Sequence, residues 1–155
     1  MHKHALIAGA ALLLAFGAVA PTVAQDASSS AAAPAADAAT PPTPEVLAAG
    51  KHIWSDAACS NCHGANAGGG HSADFPAGPS LRTSGLDPDT MLQIIECGIP
   101  DTKMPAWLQG AYTETACYGN PLGPAPSGIV ASAAYSEDQL KDLVAYIQAT
   151  FVVKP

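Results

Sequence analysis

Five consecutive residues constrain this chain more than any other stretch: Cys59-Ser60-Asn61-Cys62-His63. On one helical turn Cys59 and Cys62 stand at i and i+3, and Cys59 and His63 at i and i+4. Two thiols and an imidazole then project from a single face. That face can grip a group much larger than one side chain at three points. The rest of the chain needs such a group. Residues 64–86 and 99–135 are rich in glycine and proline, and no run in them alternates strongly enough to predict a strand. Loops this long are unusual in an ordinary compact domain. They make sense if they wrap a bulky apolar body that supplies the missing core.

Three helices frame these loops. Thr43 can cap the first, Pro44 fits the first helical position and Glu45 favours the positive helix end. Val46, Leu47, Gly50, Ile53 and Trp54 follow at helical spacing, and Gly50 in mid-helix costs roughly 1 kcal/mol relative to alanine, which points to close packing there. Asp87-Pro88-Asp89 announces a second helix, which presents Met91, Leu92, Ile94 and Ile95 and stops at Gly98 and Pro100. Ser136 and Gln139 make a capping-box pattern for a third, whose stripe is Leu140, Leu143, Val144, Ile147 and Phe151, with Tyr146 alongside.

The front third reads differently. His2, Lys3 and His4 precede an uncharged Ala- and Leu-rich run, and Thr22-Val23-Ala24 offers the small residues a signal peptidase reads. Residues 1–24 are therefore expected to be a signal peptide cleaved after Ala24, with a membrane anchor over residues 5–24 as the alternative. Residues 25–43 hold almost nothing large to bury and are expected to form a disordered Ala/Pro-rich linker, leaving residues 44–155 as the folded domain. Loss of the leader removes Lys3 and leaves 13 acidic against five basic residues, a net charge of −8. Nucleic acid is a poor partner for so acidic a chain. The acidity either steers it toward a basic patch on a protein or serves only solubility.

C-x-x-C-H is the attachment signature for c-type haem. Thiols at that spacing bond the edge of a porphyrin while the imidazole reaches its iron, and covalent attachment anchors a core that would otherwise be marginal. Two other chemistries use these residue types. A zinc site needs further ligands, and Cys97 and Cys117 are too distant in sequence to be a second close pair, although they could converge in space. A thioredoxin-like dithiol needs a βαβ context, which the pattern lacks.

Beyond the motif, the chain resembles the class I cytochrome c family over residues 45–153. Gly50-Lys51-His52-Ile53-Trp54 and then Cys59-Ser60-Asn61-Cys62-His63-Gly64 look like its first helix and haem turn. Gly78-Pro79-Ser80-Leu81 looks like its proximal loop, Lys103-Met104-Pro105 like its distal methionine segment, and Leu143-Val144-Ala145-Tyr146-Ile147 like its C-terminal helix. The resemblance implies an all-α cytochrome c fold, with three main helices and long loops wrapped around one covalent haem c. It also implies that the first and last helices cross with Gly50 opposite Tyr146.

Carried over residue by residue, the resemblance makes Cys59 and Cys62 the haem attachment and His63 and Met104 the axial iron ligands. A thioether is a soft, uncharged ligand, and His/Met ligation raises haem potential. Met91 sits on a helix stripe and reads as core, His52 as an exposed helix residue and His71 as a loop residue beside Gly68-Gly69-Gly70. The Pro79 carbonyl would accept a hydrogen bond from the free nitrogen of His63; the alternative is an ordinary turn proline. Arg82 or Lys103 could neutralise a propionate or simply be solvated, and Trp107 and Trp54 read as core aromatics against the haem. Two spare cysteines in an exported chain favour a Cys97–Cys117 disulfide around Met104. This bridge, and the segment from Pro105 to Tyr135, depart from the most compact family members.

With both axial positions filled, substrate has no place to bind, so the expected role is electron transfer and not catalysis. Partners would be redox proteins met transiently. The segment from Ala111-Tyr112 to Cys117-Tyr118-Gly119 loosely resembles cytochromes that accept electrons from periplasmic quinoprotein alcohol dehydrogenases, with an oxidase or another cytochrome as acceptor. Two other classes remain open: a gas sensor or peroxidase with a labile sixth ligand, and a tethered subunit of a membrane oxidase or dehydrogenase complex.

Overall fold

The structure is a computed structural model that describes residues 40–70 and 73–153. The expected signal peptide, the expected linker as far as residue 39, and His71 lie outside the described residues.

Helix α1, Pro44–Asp56, starts as its sequence dictates. The Thr43 hydroxyl accepts from the Val46 N–H at 3.4 Å, Pro44 occupies the first turn, and the Thr43 carbonyl accepts from Leu47 at 3.0 Å. At Ala58 the backbone turns left-handed (φ 52°), which ends α1 and leads directly into the five-residue helix α2, Cys59–His63. Helix α3, Pro88–Cys97, is capped by the Asp87 carboxylate, which accepts from the Thr90 N–H at 2.9 Å and its hydroxyl at 2.7 Å. Those two bonds hold the Asp87 carboxyl below the usual carboxylate range. Helix α4, Glu137–Thr150, carries the complete capping box: Ser136 and Gln139 each bond the other's backbone N–H.

Helices α1 and α4 cross at Gly50. A Cβ there would lie 2.6 Å from the Tyr146 Cβ and would run into the Asp142 carbonyl. That is the close approach expected of the mid-helix glycine. It brings Ile53 and Trp54 of α1 against Leu140, Leu143, Val144 and Ile147 of α4, and Met91 and Ile95 of α3 join this main core with Ala67, Leu108 and Tyr135.

The all-α expectation needs one correction. Strand β1, Ala106–Leu108, pairs in parallel with β2, Ala131–Tyr135, so the fold is mostly helical with a small two-stranded sheet. Between Ala106↔Ala131 and Leu108↔Tyr135 the register shifts, and Ala133 has a positive φ of 51°. This bulge explains the missed strands. β2 is four exposed residues followed by buried Tyr135, an alanine-rich run with no alternation to read. Tertiary contacts hold it in place: Ala106 N–H donates to Val130 O at 2.7 Å and Gln109 N–H to Tyr135 O at 2.8 Å.

A second, smaller core lies beside the first. It consists of buried Cys97, Ala106, Tyr112 and Cys117, with Ala111 and Ile129 packed against it. Cys97 and Cys117 are joined in the expected disulfide, so residues 97–117 form a closed loop containing Met104.

Candidate haem site

An open-mouthed cavity of about 810 Å³, counted out to its mouth, lies among α1, α2, α3, α4 and β1. Trp54 approaches it from α1, Cys59 and His63 from α2, and Pro79 from the proximal loop. Met91, Ile94 and Ile95 line it from α3, Leu143 and Ile147 from α4, Met104 from the segment leading into β1, and Trp107 from β1 itself. Its wall is almost wholly apolar.

His63 is held in one tautomer. Its Nδ1 lies 2.9 Å from the Pro79 carbonyl oxygen. A carbonyl can only accept, so Nδ1 carries the proton and Nε2 keeps its lone pair free for a metal. The proximal loop is fitted to this ring. Gly78 N–H donates to Cys62 O at 2.8 Å, and a Cβ on Gly78 would sit 2.7 Å from that oxygen and 3.1 Å from His63 Nδ1. Only glycine allows the loop so close. Gly69 N–H donates to His63 O at 2.8 Å and Leu81 N–H to Ala67 O at 2.9 Å, which ties Gly69 and Leu81 to the haem turn and its neighbour.

Elsewhere in the cavity wall, the Met104 backbone is tied at both ends. Its N–H donates to the Thr102 hydroxyl at 3.1 Å and its carbonyl accepts from Ile99 N–H at 3.1 Å. Its side chain is half-buried in the wall. Met91 also lines the cavity, but it is 3% exposed on α3, and Gln148 reaches its sulfur at 3.8 Å. His52 is exposed on α1.

The other sequence candidates fall as follows. Cys59 lines the cavity, whereas Cys62 is half-buried on α2 and outside the wall. Burial pushes the Cys59 thiol up to about 11, the opposite of the lowered value a redox-active dithiol needs. Trp107 is half-buried in the wall with its ring centroid 5.8 Å from that of Tyr135. Arg82 and exposed Lys103 are not part of the wall, and the Arg82 carbonyl accepts from Val153 N–H at 3.0 Å. Among the described residues no three His, Cys, Asp or Glu side chains gather to hold a metal, which leaves the zinc reading without its further ligands. Two free cysteines on one helical turn, a histidine with Nε2 available, and an apolar enclosure that also includes the Met104 thioether together suit haem c.

Residues 45–116 match the family described as cytochrome c oxidase, cbb3-type, subunit III. That family is one of class I c-type cytochrome domains, and the match covers residues 45–116 only. The match runs from α1 through β1 and ends one residue before Cys117, so β2 and α4 lie beyond it. No curated protein and no solved structure is significantly similar to the chain. A cytochrome c domain of this family is an electron-transfer module. The family match implies haem-based electron transfer, covalent haem c and redox proteins as partners in general.

Two contributors to the cytochrome domain escaped sequence reading. Tyr112 and Tyr118 donate their hydroxyls to Cys97 O at 3.0 Å and Gly98 O at 2.6 Å. Their positions around Cys117 were the only available signal, because a backbone carbonyl at a helix end has no signature in the sequence.

Proposed function

We propose that this chain is an exported, periplasmic carrier of single electrons, not an enzyme, with one haem c bound through Cys59 and Cys62 and ligated by His63 and Met104. The observation that carries the reading is that His63, its Nδ1–H fixed on Pro79 O at 2.9 Å, and Met104, its backbone held by Thr102 and Ile99, line one apolar cavity beside the Cys59 thiol. When bound there, haem c supplies an iron that takes up and returns one electron. The protein's own groups do the rest. Pro79 sets the imidazole orientation and basicity. Trp54, Leu143, Ile147 and the α3 side chains exclude water and keep the local dielectric low. Arg82, Lys103 and the Trp107 N–H are the candidate partners of the propionates.

Export, cleavage after Ala24 and a spacer role for residues 25–43 belong to the same proposal and rest on the sequence. Partners are redox proteins, and a net charge of −8 favours a basic docking face on them. A quinoprotein dehydrogenase as donor rests on the 111–119 resemblance alone. In that segment Tyr112, Cys117 and Tyr118 have structural partners of their own, so the proposal goes no further than the class of partner.

A second reading is favoured by the family match itself: a cytochrome subunit held within an oxidase complex by a retained leader. The mature N-terminus separates the two readings, since cleavage after Ala24 removes the anchor.

The test is expression of the full chain in a host that matures c-type cytochromes, with absorption spectroscopy. A pyridine haemochrome that survives acidic extraction shows covalent haem. A far-red sulfur band in the oxidised protein that disappears in Met104→Ala shows the ligand pair. Attached haem without that band would overturn Met104 and turn the reading toward a sensor or peroxidase. No attached haem would overturn the proposal as a whole.

A further inference from the structure

We propose that Tyr118 is a positioning residue for Met104, acting through the single peptide plane between Gly98 and Ile99. The inference rests on Met104 being the iron ligand.

Gly98 ends α3, and the backbone of residues 104–106 lies directly against it. A Cβ there would be 2.6 Å from Ala106 N, 2.7 Å from the Pro105 carbonyl carbon and 2.9 Å from Met104 O, with φ at +67°. The Gly98 carbonyl accepts the Tyr118 hydroxyl at 2.6 Å. The N–H on the opposite edge of the same peptide group belongs to Ile99 and donates to Met104 O at 3.1 Å. The peptide group is planar, so its carbonyl and its N–H cannot turn independently. Tyr118 thus fixes the direction from which Met104 is held.

The ring has a firm base, because Cys117 next to it is bonded to Cys97 next to Gly98. Tyr112 provides an internal comparison. Its hydroxyl bonds Cys97 O, whose peptide plane carries the Gly98 N–H, and that N–H bonds Ile94 O within the helix end. Tyr112 therefore steadies α3 but has no such link to Met104. Tyr118 is 41% exposed, so loss of its hydroxyl leaves no buried hole, whereas Tyr112 is 2% exposed.

The experiment uses the haem-loaded full chain as wild type, Tyr118→Phe, Tyr112→Phe and Met104→Ala. Each oxidised protein is titrated with free imidazole, which competes with the sixth ligand, and thermal unfolding is recorded alongside. The expected result is that Tyr118→Phe binds imidazole about fivefold more tightly, because loss of one hydrogen bond raises the population with Met104 released by about that factor. Tyr112→Phe lowers the unfolding midpoint and leaves imidazole affinity within about twofold. An unchanged affinity in Tyr118→Phe overturns the inference, and so do equal shifts in both tyrosine variants, which would mark general loosening. In either case the sulfur band in wild type and its loss in Met104→Ala leave the ligand assignment standing. Absence of that band in wild type overturns both.

Discussion

Gly50→Ala sets two physical effects against each other, and the structure decides the sign. In a solvated helix the change stabilises by roughly 1 kcal/mol through propensity. Here the new methyl would meet the Tyr146 Cβ at 2.6 Å and the Asp142 carbonyl carbon at 2.8 Å, where ordinary contact begins at 3.4 Å. The obstacles are helix backbone and a Cβ, not the far end of a flexible side chain, so α4 must move bodily by close to 1 Å. That shift loosens the seam of Ile53 and Trp54 against Leu140, Leu143, Val144 and Ile147. Overpacking costs roughly 1–3 kcal/mol, and the upper end applies because a whole helix pair separates. After the propensity gain is offset, the net loss is about 2 kcal/mol, which lowers the thermal midpoint by roughly 8 °C in a domain of this size. Urea unfolding of the haem-loaded protein measures it as a lower midpoint at unchanged slope. Ala48→Gly, on the exposed side of the same helix, calibrates propensity and should cost about 1 kcal/mol. A neutral or stabilised Gly50→Ala would refute the close-packing argument.

Replacement of both Cys97 and Cys117 by alanine releases a loop with a sequence separation of 20 and should cost about 3 kcal/mol in urea unfolding. A loss below roughly 1 kcal/mol would mean that the unfolded chain gains little freedom from the open loop. Stability should also fall above pH 10. Burial raises the phenols of Tyr112, Tyr118 and Tyr135, and for Tyr135 the Asp56 carboxylate at 2.6 Å adds to it. An unfolded tyrosine ionises near pH 10, so above that the unfolded chain releases protons that the folded chain retains. The contribution is complete below the unfolded value and is lost as pH rises toward the folded ones. Urea midpoints between pH 8 and 11 should show this decline, and Tyr135→Phe should flatten it; an undiminished slope would count against the assignment.

Much of the frame was legible because local chemistry announces itself. Thr43-Pro44-Glu45, Asp87-Pro88 and Ser136 with Gln139 each mark a helix start, and the structure places caps at Thr43, Asp87 and Ser136. Gly50 pointed to the helix crossing because a costly residue needs a reason. The small sheet was illegible. Its partners are separated by a long intervening segment, and its register depends on a bulge at Ala133 that no propensity encodes. The Tyr135–Asp56 bond spans 79 residues and links the sheet to the end of α1. Of the residues singled out in the sequence, Cys59, His63, Pro79, Met104 and Trp107 line one cavity, whereas the tyrosine contacts to Cys97 and Gly98 were not readable, since any backbone carbonyl can accept.

Burial of Cys59 also bears on how a chain with four cysteines avoids joining the wrong two. Four thiols allow three pairings, and only one of them suits this fold. A thiol at about 11 is ionised in about one molecule in ten thousand at pH 7, against a few per cent for an ordinary cysteine. Disulfide exchange proceeds through the thiolate, so the folded chain holds Cys59 out of the competition. Oxidant then has a slow route to a mispaired Cys59, while Cys97 and Cys117 already face each other in the smaller core. The same apolar wall proposed to receive a porphyrin thus keeps the Cys59 thiol protonated.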